Sequence, residues 1–175
     1  GISVQLPKDQ WSMAGAAAKE RNWNVSRMID AFFGEDAAVA MHQVGEVQFK
    51  RQLYQSLISQ QLYLKTTIEA WRTTNIMVSL WWMYNEMWPT GGWGSVEYGA
   101  AVPGQILGGR WKPLHFEMRR STFNDRMATC NTAGACFVAN DSPFPFHGST
   151  SIRLLNVVSG VSVPMRLPAT GANLS

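Results

Sequence analysis

The residues with the clearest chemical potential lie in one aromatic stretch, from Leu80 to Gly99. Glycoside hydrolysis needs two carboxyl groups, one acid and one base or nucleophile, and this stretch holds Glu86 and Glu97. Aromatic rings pack on the C–H faces of sugars, while amide and carboxylate groups bind sugar hydroxyls. The stretch contains half of the chain's tryptophans: Trp81, Trp82, Trp88 and Trp93. Its composition is therefore typical of a carbohydrate site.

The two carboxylates have two interpretations. In the first, Glu86 and Glu97 are the catalytic pair of a glycosidase. In the second, Glu86 is a structural carboxylate at the end of a strand and Glu97 braces a loop. We favour the structural interpretation. Trp82 is similarly open to two roles, because a tryptophan in an apolar run can contact a sugar or pack in a core.

Three segments of the chain resemble the eighth-strand signature of the β-mannosidases of glycoside hydrolase family 2. That signature is W-Q-L-N-D/E-x-W-P, then W-x-S-x-E/D-Y, then G-R-W-K-x-L-H-Y/F. The corresponding segments here are Trp82-Met-Tyr-Asn-Glu-Met-Trp88-Pro89, Trp93-Gly-Ser-Val-Glu-Tyr98 and Gly109-Arg-Trp-Lys-Pro-Leu-His-Phe116. The resemblance implies an α/β plus β fold: the C-terminal end of a (β/α)8 TIM barrel followed by part of an immunoglobulin-like β-sandwich.

The resemblance also implies roles for individual residues. Trp82 matches the tryptophan that forms the floor of the mannosyl pocket, and Asn85, Trp88 and Trp93 are further candidates for substrate binding. The family commonly has Gln-Leu where this chain has Met83-Tyr84, so any polar contact made by that Gln is lost.

The family's two catalytic glutamates are expected outside this chain. The acid lies in an N-E motif after the fourth strand and the nucleophile in an S-E-x-G segment after the seventh, and both would precede Gly1. We therefore expect no catalytic residue here and an inactive isolated chain. The expected partners are the remainder of the glycosidase and a β-mannoside or related glycan. The alternative is a non-catalytic sugar-binding or structural subunit of a larger assembly.

The positioning elements can be predicted from periodicity and from helix-capping and turn residues. Before residue 124 the chain predicts helices and one buried strand; after it, short runs alternate with Gly, Pro, Asn and Ser, which is typical of a sandwich. The expected domains are thus 1–123 (barrel) and 124–175 (sandwich). One buried strand needs partners from elsewhere, so we expect a fragment or one chain of a nicked protein. Asn24 is predicted to cap a helix Val25–Phe33, which Gly34 ends. A short helix Glu35–His42 and a long helix Glu46–Arg72 follow, and the apolar face of the long helix is predicted to consist of Leu53, Leu57, Leu64, Ile68 and Trp71. The last predicted elements are the strand Asn75–Met83 and a helix Lys112–Phe123.

Composition excludes several classes of function. The chain has 175 residues, 46% hydrophobic and 15% charged, with a net charge of +3, which fits a globular protein. Its basic residues are scattered, so nucleic-acid binding is not expected. No apolar run approaches the roughly 20 residues of a membrane span. Nucleotide-binding and metal motifs are missing, so no cofactor or metal is expected, and His115 is predicted to be packed and hydrogen-bonded.

The cysteines and sequons bear on the compartment. Cys130 and Cys136 are separated by five residues and form either a disulfide that closes a hairpin or two free thiols. The three sequons begin at Asn24, Asn140 and Asn173, which are the expected glycosylation sites. Together they favour the secretory pathway, with a lysosomal or secreted location.

Overall fold

A computed structural model describes residues 23–36, 46–74, 76, 78–86, 92–97, 110–131, 133–149, 151–156 and 159–164. The chain divides into two compact units, Gly1–Phe123 and Asn124–Ser175. The division falls at the position where the sequence changes from helical periodicity to short runs. Whether the units belong to a barrel and a sandwich stays a prediction, since the described residues form neither a closed barrel nor a two-sheet sandwich.

The first helix, α1, spans Trp23–Phe33. It begins two residues before the predicted start, so Asn24 lies in its first turn instead of preceding the helix. Its end is as predicted: Gly34 has a φ of 89°, and its N–H donates to Asp30 O at 2.9 Å. Glycine adopts this left-handed conformation without the penalty that a Cβ imposes, which ends the helix. Of the predicted helix Glu35–His42, residues 35 and 36 are helical and the others lie outside the described residues.

The long helix, α2, spans Glu46–Thr73, one residue past its predicted end. At 1.5 Å per residue it is about 42 Å long. Its buried face differs from the predicted apolar face, because Leu53 and Leu57 are only partly buried and Trp71 is exposed. The buried positions are largely polar: Phe49, Gln52, Gln55, Ser56, Ser59 and Ile68.

The predicted helix Lys112–Phe123 is present in two parts. An α-helix, α3, spans Pro113–Glu117 and continues as a π-helical turn, Met118–Thr122. Pro113 fits the first turn, where its missing N–H has no intrahelical acceptor to lose. One buried cluster of this unit joins α2 to α3 and its π-helical turn: Ile68, Leu114 and Met118, with Leu64 and Trp81 packed against them.

The predicted buried strand Asn75–Met83 is wrong for the residues that the structure describes. Residues 76 and 78–83 form no strand, and Val78, Leu80 and Trp82 are 63%, 86% and 73% exposed. A strand requires hydrogen bonds to a neighbouring strand, and none of the described residues supplies one along this run. Pairing begins only at Asn85, which forms an isolated parallel bridge with Val96.

A short antiparallel pair completes the first unit. Strand β1 is Val96–Glu97 and strand β2 is Arg110–Trp111. Val96 faces Trp111 and Glu97 faces Arg110. This register brings the second and third signature segments side by side.

The described residues of the second unit form two antiparallel hairpins. Strands β3, Arg126–Cys130, and β4, Cys136–Asn140, pair with Cys130 opposite Cys136. Strands β5, Arg153–Leu155, and β6, Ser162–Pro164, form the other hairpin. In the turn between β3 and β4, Asn131 Oδ1 accepts hydrogen bonds from the N–H groups of Ala133 and Ala135, both at 3.0 Å. Among the described helices of the chain, none is both long and apolar enough to cross a bilayer.

Candidate functional site

The three signature segments converge around the carbonyl of Tyr84. Tyr84 O accepts hydrogen bonds from Ser95 N at 2.9 Å, Val96 N at 3.0 Å and Ser95 Oγ at 3.0 Å. Glu86 N donates a hydrogen bond to Val96 O at 2.9 Å, and Lys112 N donates one to Ser95 O at 2.9 Å. Ser95 is fully buried, so its own ends of these bonds are shielded from water. The backbone alone therefore fixes the first segment against the second and the second against the third.

Glu86 lies at the centre of this arrangement in an ion pair with Lys112. The two residues are 5% and 3% exposed. Glu86 Oε1 accepts from Lys112 Nζ, whereas Glu86 Oε2 has no hydrogen-bond partner among the described residues. A carboxylate enclosed in this way is not accessible to a substrate. Its role is to join the end of the first segment to the start of α3.

Glu97 is held by a second ion pair. Its carboxylate lies 3.0 Å from Arg110, its direct partner in the β1–β2 register. The pair therefore braces the two short strands. Both carboxylates of the aromatic stretch are thus engaged with basic side chains, which is the arrangement that the structural interpretation predicts.

Two glycines allow the segments to approach closely. A Cβ on Gly94 would lie 2.5 Å from the backbone carbon of Asn85, and a Cβ on Gly92 would lie within the Glu86 carboxylate. Side chains at either position would push the first and second segments apart. The glycines next to Trp93 are therefore required by packing.

His115 links the same segments, and its prediction as a packed, hydrogen-bonded histidine is confirmed. Its Nδ1 lies 3.1 Å from Ser95 Oγ. Its ring centroid lies 5.7 Å from that of Tyr84 and 4.5 Å from that of Trp111. The imidazole thus bridges α3, the second segment and the first.

The predicted sugar-contact residues have different surroundings. The side chains of Trp82 and Trp93 are 73% and 52% exposed, so both rings are available to a ligand. Asn85 is partly buried, and its Nδ2 donates to Glu86 O at 3.3 Å. Trp88 lies outside the described residues. The structure therefore leaves two aromatic rings exposed on or beside the bonded framework, and brings Asn85 into the framework itself.

Sequence reasoning missed one residue of this site, Gln60 of α2. Its Nε2 donates to Trp93 O at 2.9 Å and to Gly94 O at 3.3 Å. Nothing in the sequence marks it, because a glutamine in a helix of mixed polarity is most simply interpreted as solvated. The polar character of the buried α2 face becomes evident only from the fold.

The remaining predicted sites lie in other parts of the chain. Cys130 and Cys136 are joined by a disulfide. Asn140 Nδ2 donates to Phe144 O at 2.9 Å, so this sequon amide already has a partner. Asn173 and the side chain of Asn24 lie outside the described residues. No cluster of three potential metal-ligating side chains occurs among the residues described.

Comparison with known proteins gives one partial similarity. The chain is 32% identical over 82 residues to a β-mannosidase of the goat, Capra hircus. The match covers 42% of this chain and 8% of the goat protein, so the chain spans a small part of that relative. No protein-family model and no solved structure matches the chain. The similarity indicates a glycosidase-related region.

Proposed function

We propose that this chain is the C-terminal portion of a retaining β-mannosidase-like glycoside hydrolase, in which it supplies the aromatic floor of the sugar pocket. The observation that carries the proposal is the contrast between its tryptophans and its carboxylates. Trp82 and Trp93 expose their rings, whereas Glu86 and Glu97 are both held in ion pairs. Such a surface suits binding of a sugar and lacks the groups that cleave it.

Each proposed site residue has a chemical role. Trp82 packs against the C–H face of the mannosyl ring, and Trp93 and Trp88 offer further apolar contacts. Asn85 uses its Nδ2 within the framework, which leaves its amide oxygen to accept a bond from a sugar hydroxyl. The acid and the nucleophile come from the remainder of the glycosidase, and no metal or cofactor takes part.

The exposed apolar residues before Trp82 support a partner that supplies the rest of the glycosidase. Val78 and Leu80 present large apolar surfaces to solvent, and strands from the remaining part of a (β/α)8 barrel would cover them. The second unit would then begin an immunoglobulin-like sandwich. With the Cys130–Cys136 disulfide and the three sequons, this assembly would belong to the secretory pathway, lysosomal or secreted.

A second candidate is a non-catalytic sugar-binding or structural subunit. The engagement of both carboxylates favours it as much as it favours a glycosidase whose catalytic groups lie elsewhere. The two candidates differ in the partner chain. A glycosidase requires a partner with an N-E acid motif and an S-E-x-G nucleophile segment, and a subunit of a structural assembly does not.

The first experiment is native mass measurement of the purified protein, followed by denaturing mass spectrometry of its components. We expect an assembly above 19.5 kDa that contains the two catalytic segments and hydrolyses aryl β-mannosides. A folded, cooperative monomer of 19.5 kDa would contradict the glycosidase proposal.

The contribution of Trp82 is tested in the same assembly. Trp82→Ala should weaken binding of methyl β-D-mannopyranoside, measured by calorimetry. Tyr63→Ala is the control, since it removes an exposed aromatic ring from α2, outside the three signature segments. Equal affinities for both variants and the unmodified protein would remove Trp82 from the site.

A further inference from the structure

We infer that Gln60 is a positioning residue that holds Trp93 in a fixed orientation for its ligand; the identity of the ligand rests on the proposed function. Gln60 reaches from α2 to the second signature segment, where its amide nitrogen lies 2.9 Å from Trp93 O and 3.3 Å from Gly94 O. One side chain thus binds two consecutive carbonyls. Gln60 itself does not touch the ligand; it acts through the backbone that carries the Trp93 ring.

The rest of the segment is fixed from the opposite side. Beyond Trp93, Gly94 has no room for a Cβ against the Asn85 backbone, and Ser95 donates to Tyr84 O through both its N–H and its hydroxyl. Before Trp93, Gly92 lies against the buried Glu86 carboxylate. The Trp93 and Gly94 carbonyls accept their hydrogen bonds from Gln60. These bonds tie the segment to α2 in addition to the first signature segment.

Helix α2 is a rigid support for this contact. Leu64 and Ile68, one and two turns beyond Gln60, pack into the core with Leu114 and Met118. A side chain mounted on a helix that is fixed by a core holds its target more accurately than one mounted on a loop. The Gln60 amide consequently fixes the backbone of Trp93 relative to α2.

The exposure of Trp93 distinguishes positioning from packing. A tryptophan that serves the core is usually well covered, yet Trp93 is 52% exposed although its carbonyl accepts a hydrogen bond from Gln60 and the glycines on both sides of it are closely packed. An aromatic ring that is exposed on a preorganised backbone loses little conformational entropy when a ligand binds. The arrangement suits a ring that stacks on a sugar.

Gln61 provides a matched control on the same helix. Its Nε2 donates to Glu117 Oε2 at 3.2 Å and does not approach Trp93. Gln60→Met and Gln61→Met each keep the length of the side chain and remove its ability to donate. Both variants lose hydrogen bonding to a neighbouring element, so a general structural effect should appear in both.

The primary readout is the ¹⁹F NMR spectrum of the chain labelled with 5-fluorotryptophan. The Trp93 resonance is assigned by its loss in Trp93→Phe. We expect Gln60→Met to shift or broaden this resonance while the other tryptophan resonances and the unfolding midpoint resemble those of Gln61→Met. An unchanged Trp93 resonance in Gln60→Met would overturn the inference. If Gln60→Met does not fold, Gln60→Asn, which shortens the donor by one methylene, gives the same comparison.

The second readout is affinity for methyl β-D-mannopyranoside. Gln60→Met removes both carbonyl contacts, so the Trp93 side chain must be ordered when the ligand binds. Ordering one side chain corresponds to a change of about 2- to 10-fold in affinity, so Gln60→Met should weaken binding by that factor and Gln61→Met should not. Equal affinities in the two variants would count against positioning for this ligand. If the unmodified protein binds no mannoside, the proposed function fails, and the ¹⁹F result alone decides whether Gln60 positions Trp93.

Discussion

Glu86 and Lys112 form an ion pair that is almost completely shielded from solvent and joins two segments 26 residues apart. Burial of two charges is costly, and their attraction compensates for it only while both are present. Lys112→Met leaves the Glu86 carboxylate without its cation, so we expect a loss of about 3–5 kcal/mol in the free energy of unfolding. Urea denaturation followed by tryptophan fluorescence measures it.

Two further variants test the origin of that loss. The double variant Glu86→Leu/Lys112→Met should recover most of the stability, because it removes both charges. Lys50→Met is the control, since the Lys50–Glu46 pair is exposed and should change stability by less than about 0.5 kcal/mol. A double variant as unstable as Lys112→Met would show that packing, and not charge, explains the effect.

Trp81 and Trp82 are adjacent but should respond differently to truncation. Trp81 packs against the buried core and lies 5.9 Å from the Phe123 ring, whereas Trp82 is mostly exposed. We expect Trp81→Ala to lower the free energy of unfolding by about 3 kcal/mol and Trp82→Ala by less than about 0.5 kcal/mol. Thermal unfolding followed by circular dichroism separates the two. Similar losses would mean that the Trp82 ring is covered.

Gly94→Ala should be more destabilising than Gly34→Ala. The new Cβ at position 94 meets backbone atoms of Asn85 and Glu86, which cannot move without breaking the hydrogen bonds around Tyr84. At Gly34 the space is open, and only the left-handed backbone conformation opposes a side chain, at a cost of about 1–2 kcal/mol. Urea denaturation of both variants tests this order, and a milder effect at position 94 would contradict the close approach of the segments.

The Cys130–Cys136 disulfide closes a short loop, so its contribution should be modest. In the chain-entropy treatment, a loop of seven residues corresponds to about 2.4 kcal/mol. In the double variant Cys130→Ser/Cys136→Ser, the free energy of unfolding should therefore fall by about that amount, and the midpoint of urea denaturation should move to a lower concentration. Alkylation followed by mass spectrometry verifies that the unmodified chain has no reactive thiol. An unchanged unfolding midpoint would show that the hairpin is ordered by its hydrogen bonds alone.

The helices were the most predictable part of the fold. The long helix could be predicted from the recurrence of Leu64 and Ile68 in a run without glycine or proline. The end of α1 could be predicted from Gly34, because few other residues tolerate its backbone conformation. The buried strand was not predictable in the same way. Its apolar residues satisfy the pattern of an interior strand, but strand formation depends on partners that a local pattern does not contain.

The sequence indicated which segments contact one another and less about how they do so. It favoured a structural role for Glu86 and Glu97, and both lie in ion pairs. A sugar contact at Trp82 and Trp93 stays a prediction. The Gln60 contact depends on where α2 lies relative to Trp93, 33 residues later in the chain. Long-range contacts of this kind arise from tertiary packing, for which helix periodicity provides no signal.

The triple hydrogen bond at Tyr84 O has a consequence for the time scale of motion at this site. The amide protons of Ser95 and Val96 share one acceptor, so an opening that displaces the Tyr84 carbonyl breaks both hydrogen bonds at once. If this opening governs deuterium exchange, the two amides should be protected to a similar degree relative to the unfolded chain. That opening would also release Gly94 from the Asn85 backbone, so its rate sets how often the first and second segments separate.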